Sequence, residues 1–347
     1  MSRGNGLRTV NLALQGGGAH GAFTWGALDA LLEDRRVRFE GVCGASAGAM
    51  NAVVLAHGLL KGGRQGARDA LAAFWNDVGR SGLLWRAARP PDSMLSLFGI
   101  DPQIAAAGMQ TVMETWGRLL SPYQFNPWNF DPLRQLLERH VEFRALADES
   151  CLKLFICATN VRSGKVRIFD NNELGADAVL ASACLPQLFK AVEIDGEAYW
   201  DGGYMGNPAL YPLFYRTRTQ DIVIVHVNPI RRETVPRTPS EIALRVNEIT
   251  FNSSLMREMR AIAFAARLVE QGWLKDEYAG RLRRMYVHSI RDDEAMSALD
   301  GTGKLSPDPQ LLDSLYESGR ATAAAWLKQH FRDVGRRDSI DIRAEFL

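Results

Sequence analysis

The sequence predicts an α/β fold with a mostly parallel central sheet, helices on both of its faces and a helical C-terminal extension. Three observations support this fold class. Short apolar strands alternate with helical segments, glycine-rich turns connect the first two strands to the helices that follow them, and the C-terminal third is mostly helical. Such alternation is typical of a parallel sheet that is covered on both faces.

The first strand is predicted over residues 9–14, and the first helix over residues 22–32. A glycine-rich loop, from Gly16 to Gly21, lies between them. Consecutive backbone N–H groups at a helix N-terminus attract anions, so the loop is a candidate site for a phosphate or for the oxyanion of an acyl-transfer intermediate. The helical spacing places four apolar side chains on one side: Ala27, Leu28, Leu31 and Leu32.

The second strand is predicted over residues 37–43 and the second helix over residues 49–55, with Gly44-Ala45-Ser46-Ala47-Gly48 between them. A G-x-S-x-G turn between a strand and a helix is the context that a nucleophile elbow requires. The glycines permit a sharp turn, and the positive end of the helix favours negative charge that develops at the serine. Ser46 is therefore a candidate nucleophile, although the pattern also occurs by chance in ordinary turns.

The glycine loop also matches the G-x-G-x-x-G pattern of dinucleotide-binding sites. That function needs an acidic residue at the end of the next strand, where it binds the ribose. Glu40 lies before the end of this strand, which continues through Val42 and Cys43 into the serine turn. A dinucleotide site is therefore the weaker interpretation of the loop.

A third motif, Asp201-Gly202-Gly203, follows a predicted hairpin whose strands are residues 191–194 and 197–200. Asp195-Gly196 is the predicted turn of this hairpin. An aspartate at a strand end beside two glycines can point into a site without a bulky neighbour. Because Asp-Gly is also a very common turn dipeptide, the motif alone would indicate only a turn.

In this order, the three motifs closely resemble those of the patatin-like phospholipase family of serine acyl hydrolases. The resemblance covers residues 9–215 and implies a three-layer fold with a Ser–Asp dyad and no catalytic histidine. It implies that Ser46 is the nucleophile and Asp201 the general base. The oxyanion hole would be lined by Gly16, Gly17, Gly18 and Ala19. The residues that would support the motifs are Gly21, Gly44, Gly48, Gly202 and Gly203.

The sequence departs from the family's pattern at His20, where the family usually has Arg or Lys. A neutral histidine would weaken charge assistance at the loop but would leave the backbone donors intact. Residues 183–186 and Asn207-Pro208 are also similar to stretches that flank the family's aspartate.

A Ser-His-Asp triad is the nearest alternative mechanism, and it needs a histidine after the acid in the chain. His226, His288 and His330 all follow Asp201, so chain order leaves this alternative open. His226 lies in a predicted strand over residues 221–227. His288 lies at the end of a second predicted strand, directly after residues 285–287, and His330 lies on a helix near the end of the sequence. A histidine in such a place is more often a satisfied core or surface residue.

Residues 66–148 are predicted to form a helical insertion in a catalytic domain that spans residues 9–215. Within the insertion, residues 101–120 have one apolar face, and residues 85–100 are a candidate mobile cover over a lipid site. Residues 216–347 are predicted to complete or extend the same domain with strands and helices.

Two long helices are predicted in this C-terminal part. One begins near Pro239 and stops near Gly272, and the other follows Pro309. They could cover the sheet or pair with another subunit. The apolar positions that recur near helical spacing in the first of them are Ile242, Val246, Ile249, Met256, Met259 and Ala263.

The composition is that of a globular enzyme, with 347 residues, 46% hydrophobic content and a net charge of +1 that gives no indication of nucleic-acid binding. The first six residues contain no apolar signal core, and no run reaches the roughly 18 apolar residues of a membrane span. We therefore expect a cytoplasmic protein, with peripheral contact at a membrane left open. The cysteines lack C-x-x-C spacing and indicate buried thiols in a reducing compartment: Cys43, Cys151, Cys157 and Cys184.

Together these inferences predict a serine acyl hydrolase that cleaves carboxylic esters of lipids through an acyl-enzyme intermediate. The motifs specify acyl transfer, whereas the lipid substrate follows from the resemblance. No metal or organic cofactor is implied, and the expected partner is a lipid ester. Two alternatives stay open: a catalytically silent lipid-binding or scaffold protein, and an acyl hydrolase or transacylase that acts on non-phospholipid esters.

Overall fold

The structure, a computed structural model, describes residues 6–87, 121–125, 132–148, 152–275, 277, 282–299 and 307–347. The strands in this part of the chain all belong to one sheet. They are β1 (Arg8–Leu14), β2 (Val37–Gly44), β3 (Lys153–Asn160), β4 (Val166–Asp170), β5 (Val192–Ile194), β6 (Glu197–Asp201), β7 (Asp221–Val225) and β8 (Tyr286–Ile290).

The helices of the described residues include two long ones in the C-terminal part and several short ones between strands. They are α1 (Gly21–Asp34), α2 (Ala47–Ala87), α3 (Pro122–Phe125), α4 (Pro132–His140), α5 (Phe143–Asp148), α6 (Ala176–Ser182), α7 (Tyr211–Arg216), α8 (Pro239–Glu270), α9 (Asp293–Ala298), α10 (Pro309–His330) and α11 (Ile342–Phe346). Gly62 and Gly63 have non-helical dihedral angles and divide α2 into two parts.

The sheet has the order β5-β6-β3-β2-β1-β7-β8, and β4 pairs with β3 outside this path. Five consecutive strands of this order are parallel to one another: β3, β2, β1, β7 and β8. Strands β4, β5 and β6 are antiparallel additions beside β3. The predicted fold class, a mostly parallel sheet with helices on both faces, is confirmed.

The register of the sheet brings the three motifs to one edge. Leu14, the last residue of β1, is paired with Gly44, the last residue of β2, so the glycine loop and the serine turn are neighbours. Strand β3 is paired with Gly44 at Ile156. Two residues further along β3, Ala158 is paired with Asp201. The aspartate therefore reaches the same edge from an antiparallel strand.

Alternate residues of the central strands face two separate apolar cores, as expected for a sheet that is covered by helices on both faces. Leu12 and Val223 belong to the core beneath α1, α2 and α10. Ala13, Ile222 and Ile224 belong to the core beneath α7, α8 and α11. Because β7 and β8 pair with β1, residues beyond 216 contribute strands to the same sheet as the three motifs.

Helices α1 and α10 approach each other at backbone distance. A Cβ on Gly26 would lie 1.9 Å from the carbonyl oxygen of Tyr316, and one on Gly319 would lie 2.0 Å from that of Phe23. Both crossing points therefore require glycine. The buried residues of α10 are Leu312, Leu315, Gly319, Ala323, Trp326 and Leu327.

Local sequence signals also account for the ends of several elements. Asp195 and Gly196 both have positive φ, at 51° and 76°, in a tight turn between β5 and β6. Helix α8 begins with a capping box in which Thr238 and Glu241 satisfy each other's backbone N–H groups, and Gly272 with φ 65° follows its end. The strand predicted over residues 285–287 extends further, to Ile290, so His288 lies inside it.

The predicted cover over residues 85–100 and the amphipathic segment over residues 101–120 lie outside the described residues, except that α2 extends to Ala87. Three of the four cysteines, Cys43, Cys157 and Cys184, are buried free thiols, as predicted. In the part of the chain that is described, no helix is long and apolar enough to cross a membrane.

Candidate active site

Ser46 occupies the turn between β2 and α2. Its φ is 52°, a left-handed conformation that is uncommon outside glycine and that often marks strained functional turns. A Cβ on Gly48 would lie 2.1 Å from the carbonyl oxygen of Leu14, and one on Gly44 would lie 2.6 Å from that of Gly48. The serine turn is therefore folded so tightly that both flanking positions require glycine.

Ser182, at the end of α6, fixes the backbone of the nucleophile candidate. The N–H of Ser46 donates to the carbonyl oxygen of Ser182 at 3.1 Å and to its hydroxyl Oγ at 2.9 Å. The N–H groups of Ala49 and Met50 donate to the carbonyl oxygen of Ser46, which starts α2 at this point. Sequence analysis missed Ser182, because no local pattern links it to a residue 136 positions away.

Asp201 lies at the end of β6 and is fully buried. Its Oδ1 accepts the N–H of Gly203 at 2.7 Å, and its backbone is held by Cys184 and Thr159. Burial disfavours the charged form and raises the pKa of Asp201 to about 7, while hydrogen bonding from Gly203 and Ser46 opposes this rise. The carboxyl group therefore titrates near neutral pH.

The side chains of Ser46 and Asp201 interact, since the Ser46 hydroxyl is one of the two groups that lower the pKa of the carboxyl group. Oδ2 of Asp201 has no partner with full hydrogen-bond geometry among the described residues, so the contact is looser than a formed hydrogen bond. Contacts of this kind often tighten only when a substrate binds. The structure thus brings together two residues that were predicted from separate motifs.

The glycine loop presents a row of backbone N–H groups beside the serine turn. A Cβ on Gly16 would lie 2.7 Å from the Cβ of Ser46, so the loop and the turn are in direct contact. The N–H of Gly16 is already donated, at 2.7 Å, to Oδ1 of Asn207. The N–H groups of Gly17, Gly18 and Ala19 have no protein acceptor among the described residues. Three of the four predicted donors are therefore available to an anion.

Gln15, which is fully buried, anchors this loop from below. Its Oε1 accepts the N–H groups of Val227 and Asn228, and its Nε2 donates to Asn252 Oδ1 at 3.1 Å. The side chain of Asn228 donates to the carbonyl oxygen of Gly16 at 2.7 Å. A buried polar network of this kind, with its members satisfied, rigidifies the segment that it holds. Sequence analysis also missed Gln15, Asn228 and Asn252.

The supporting glycines lie where other elements approach the site. A Cβ on Gly21 would lie 2.7 Å from the Cβ of Ala47, so the loop's last residue packs on the start of α2. A Cβ on Gly202 would lie 2.0 Å from the carbonyl oxygen of Cys157, and Gly203 packs against the ring of Phe251 on α8. His20 is buried in the short turn Gly18–His20, and its backbone N–H donates to the carbonyl oxygen of Gly17.

The histidines of the alternative triad have partners elsewhere. Nε2 of His226 lies 3.0 Å from Oγ of Ser289, Nε2 of His288 lies 3.0 Å from Oδ1 of Asp221, and His330 pairs with Asp333. Burial lowers the pKa of His226 to about 3. None of these hydrogen bonds reaches Ser46 or Asp201 in the described residues, so the geometry gives the triad no support.

The dinucleotide alternative also lacks its acidic residue. Glu40 accepts the N–H groups of Arg218 and Thr219 and pairs with Lys153, so its carboxylate is engaged away from the glycine loop. Within the described residues, no group of three or more His, Cys, Asp or Glu side chains could hold a metal ion.

Fold and site together define a class: a three-layer α/β protein with a serine elbow, a buried aspartate and a glycine loop at one sheet edge. The family model of the patatin-like phospholipases matches residues 12–214, which is more than half of the chain. The chain belongs to this family, and family membership supports lipid acyl hydrolase activity in general.

Among solved structures, the chain is similar to VipD from Legionella pneumophila, with 15% identity and a TM-score of 0.40 over 92% of this chain and 67% of that one. It is also similar to the type III effector protein ExoU, with 17% identity and a TM-score of 0.33 over 93% of this chain and 54% of that one. The chain thus spans about half the length of ExoU. No curated protein matches the chain.

Proposed function

We propose that this protein is a serine acyl hydrolase that cleaves carboxylic esters of lipids, with Ser46 as nucleophile and Asp201 as general base. The observation that carries the proposal is the contact between a serine in a strained elbow and a buried carboxyl group whose pKa is raised to about 7. A general base with a pKa near the operating pH combines a useful ionised fraction with a strong driving force for proton transfer. An ordinary exposed aspartate would lack this basicity.

The reaction would proceed in two halves. Asp201 accepts the proton of the Ser46 hydroxyl while Oγ attacks the ester carbonyl carbon, and the negative oxygen that forms is stabilised by the N–H groups of Gly17, Gly18 and Ala19. Collapse of this intermediate breaks the ester bond, and the leaving alkoxide takes the proton from Asp201. Water then attacks the acyl-enzyme, Asp201 accepts its proton and returns it to Oγ, and the carboxylic acid leaves.

A fluorophosphonate probe tests the nucleophile, because it labels only a serine that is activated by its surroundings. We expect intact mass spectrometry to show one adduct per chain, located on the peptide that contains Ser46. Asp201→Asn should label much more slowly. A catalytically silent lipid-binding protein, the second candidate function, would not be labelled at all. Labelling of a different serine would contradict the assignment.

The pH dependence of hydrolysis should report the titration of Asp201. Only the ionised carboxylate can accept the serine proton, so kcat/KM for a short soluble ester is expected to rise about tenfold per pH unit up to an apparent pKa near 7 and then level off. Stopped-flow or plate-based rates between pH 5 and pH 9 would measure this. A rate that is already level at pH 5 would contradict the raised pKa of Asp201.

Substitution in the glycine loop should lower turnover more than substrate binding. Gly18 has φ 59°, so Gly18→Ala forces an alanine into a left-handed conformation at the proposed oxyanion donors. We expect kcat to fall about a hundredfold with little change in KM, because these donors act on the transition state. Gly164→Ala is the matched control, since Gly164 has φ 66° in the turn after β3 and nothing within 4 Å of its Cβ position. Equal losses in both variants would assign the effect to backbone strain.

The finer substrate class also belongs to the proposal. The elbow and the loop support acyl transfer, whereas the lipid ester follows from family membership. Product analysis after incubation with mixed phospholipids and acylglycerols would identify the preferred ester and separate hydrolysis from transacylation. Free fatty acid as the main product indicates water as the acceptor, and a newly acylated alcohol indicates a transacylase.

A further inference from the structure

The outer face of α8 exposes three aliphatic side chains near the start of the helix. Ile242, Val246 and Ile249 are 46%, 58% and 54% exposed. They are spaced by four and three residues and therefore form one stripe on a helix surface. Together Ile242, Val246 and Ile249 make a small apolar ridge on the surface of α8.

The same stripe continues into basic side chains. Arg257 and Arg260 follow Ile249 by eight and eleven residues, which keeps them on the ridge side of the helix. Both are exposed, and neither has an ion pair with a described residue. They border an open groove of about 340 Å³ whose apolar lining includes Ile249 and Met256. A groove with this lining suits an anion that is attached to an apolar chain.

The acidic residues near the ridge are already engaged. Glu233 pairs with Arg231, and Glu241 accepts the N–H groups of Arg237 and Thr238 at the start of α8. Glu258 points inward, where it accepts the N–H of Leu210. The charges of Arg257 and Arg260 are therefore not neutralised on this face.

The inner face of α8 holds the catalytic loops. Phe251 packs against Gly203 and lies 5.3 Å, between ring centroids, from Tyr204. Asn252 binds Gln15 below the glycine loop, and the hydroxyl of Ser254 accepts the N–H of Asn207 at 3.0 Å. One helix thickness, about 10 Å, separates this inner face from the ridge. A surface that binds the ridge would therefore be held close to the proposed active site.

We propose that the outer face of α8 docks this protein on an anionic lipid surface. Ile242, Val246 and Ile249 enter the boundary between head groups and acyl chains, while Arg257 and Arg260 contact the phosphate groups of the lipids. Binding to the lipid surface does not require hydrolysis. Its role in bringing the enzyme to its substrate rests on the proposed function, the hydrolysis of lipid esters. A second copy of the chain fits this face less well, since three half-exposed aliphatic side chains cannot supply the about 800 Å² that each partner of a stable complex buries.

Vesicle sedimentation of the full chain tests the docking. Ser46→Ala protein is used so that the lipid stays intact, with vesicles of pure phosphatidylcholine or of phosphatidylcholine with one third phosphatidylglycerol. We expect binding to the anionic vesicles only, reduced by added salt. Arg257→Gln/Arg260→Gln should weaken it about thirtyfold. Arg332→Gln/Arg336→Gln is the matched control, since it removes two exposed arginines that have no ion pair among the described residues.

Val246→Asp, also with Ser46→Ala, tests the apolar ridge and should abolish vesicle binding at an unchanged melting temperature. In the active protein, Val246→Asp should leave hydrolysis of a short soluble ester unchanged. Equal binding to both vesicle types, wild-type binding by the double arginine variant, or competition by inorganic phosphate at constant ionic strength would overturn the proposal. A dimer that Val246→Asp dissociates without loss of vesicle binding would assign the ridge to a second copy. Failure of the proposed function would appear separately, as absence of fluorophosphonate labelling.

Discussion

Ser46→Ala is expected to lower ester hydrolysis by about 10⁵-fold or more, since loss of a nucleophile removes the covalent route entirely. The substitution keeps the Cβ that contacts Gly16 and removes only the hydroxyl group. The fold should therefore be retained, with an unchanged circular dichroism spectrum. Initial rates on a soluble ester, measured at the pH optimum of the wild-type protein, give the comparison.

Two further variants separate the loss of chemistry from a loss of structure. Ser46→Gly should be equally inactive but more stable by about 1 kcal/mol, because glycine adopts a φ of 52° without the cost borne by other residues. His226→Gln should keep near-normal activity, since His226 bonds Ser289 and not the site. Residual activity within tenfold of wild type in Ser46→Ala, or a large loss in His226→Gln, would contradict the proposed dyad.

Asp201→Asn is expected to lower kcat by about 10³–10⁴-fold, because an amide cannot accept the serine proton. The amide oxygen can still accept the N–H of Gly203, so the loop after β6 should keep its position. Steady-state rates measure the loss. Near-normal turnover of this variant would exclude Asp201 as the general base.

The same substitution should stabilise the fold at alkaline pH. Burial raises the pKa of Asp201 from 3.8 to about 7, so between these pH values the folded state binds more protons than the unfolded state. The free energy of unfolding therefore falls as the pH rises from 4 to 7, by on the order of 4 kcal/mol at most. The amide of the Asp201→Asn variant carries no charge to bury, so melting temperatures should favour the variant at pH 8 and be similar for both proteins at pH 4.

Those parts of the fold whose signals are local were predictable from the sequence. Asp195-Gly196 is a turn dipeptide whose two residues both tolerate positive φ, and it indeed joins β5 to β6. Pro239 marks the start of α8, because the N–H groups of a first helical turn have no acceptor within the helix and proline has no N–H to leave unpaired. Gly272 marks the end, because glycine readily adopts the left-handed conformation that terminates helices. The glycine loop and the serine turn likewise carry their geometry in adjacent residues.

The supporting contacts of the site were not predictable in the same way. Ser182 binds Ser46 across 136 residues, and Gln15 binds Asn252 across 237 residues. Serine, glutamine and asparagine are common on surfaces, and no periodicity in a single sequence distinguishes those that are buried with a distant partner. The N–H of Gly16 illustrates this limit. The motif predicts that it donates to an oxyanion, whereas in the structure it donates to the side chain of Asn207.

Helix α8 shows a related limit of hydrophobic periodicity. Ile242, Val246 and Ile249 recur with the spacing of a buried stripe, yet the structure exposes them and buries Met259 further along. The inward side of the first half is instead occupied by Glu248, whose carboxylate is paired with Arg232 and Arg245. The pair with Arg232 depends on the loop that precedes the helix, so the helix pattern alone could not indicate it.

The contact between α1 and α10 bears on how the matched family region could be transplanted into other proteins. Gly26 and Gly319 lie at opposite ends of the chain, yet each must stay glycine for the two helices to meet. Helix α1 directly follows the glycine loop, so α10 supports that loop from a position beyond the end of the matched family region. A graft of residues 12–214 would leave behind one of the supports of the glycine loop, and a chimaera would have to carry α10 as well.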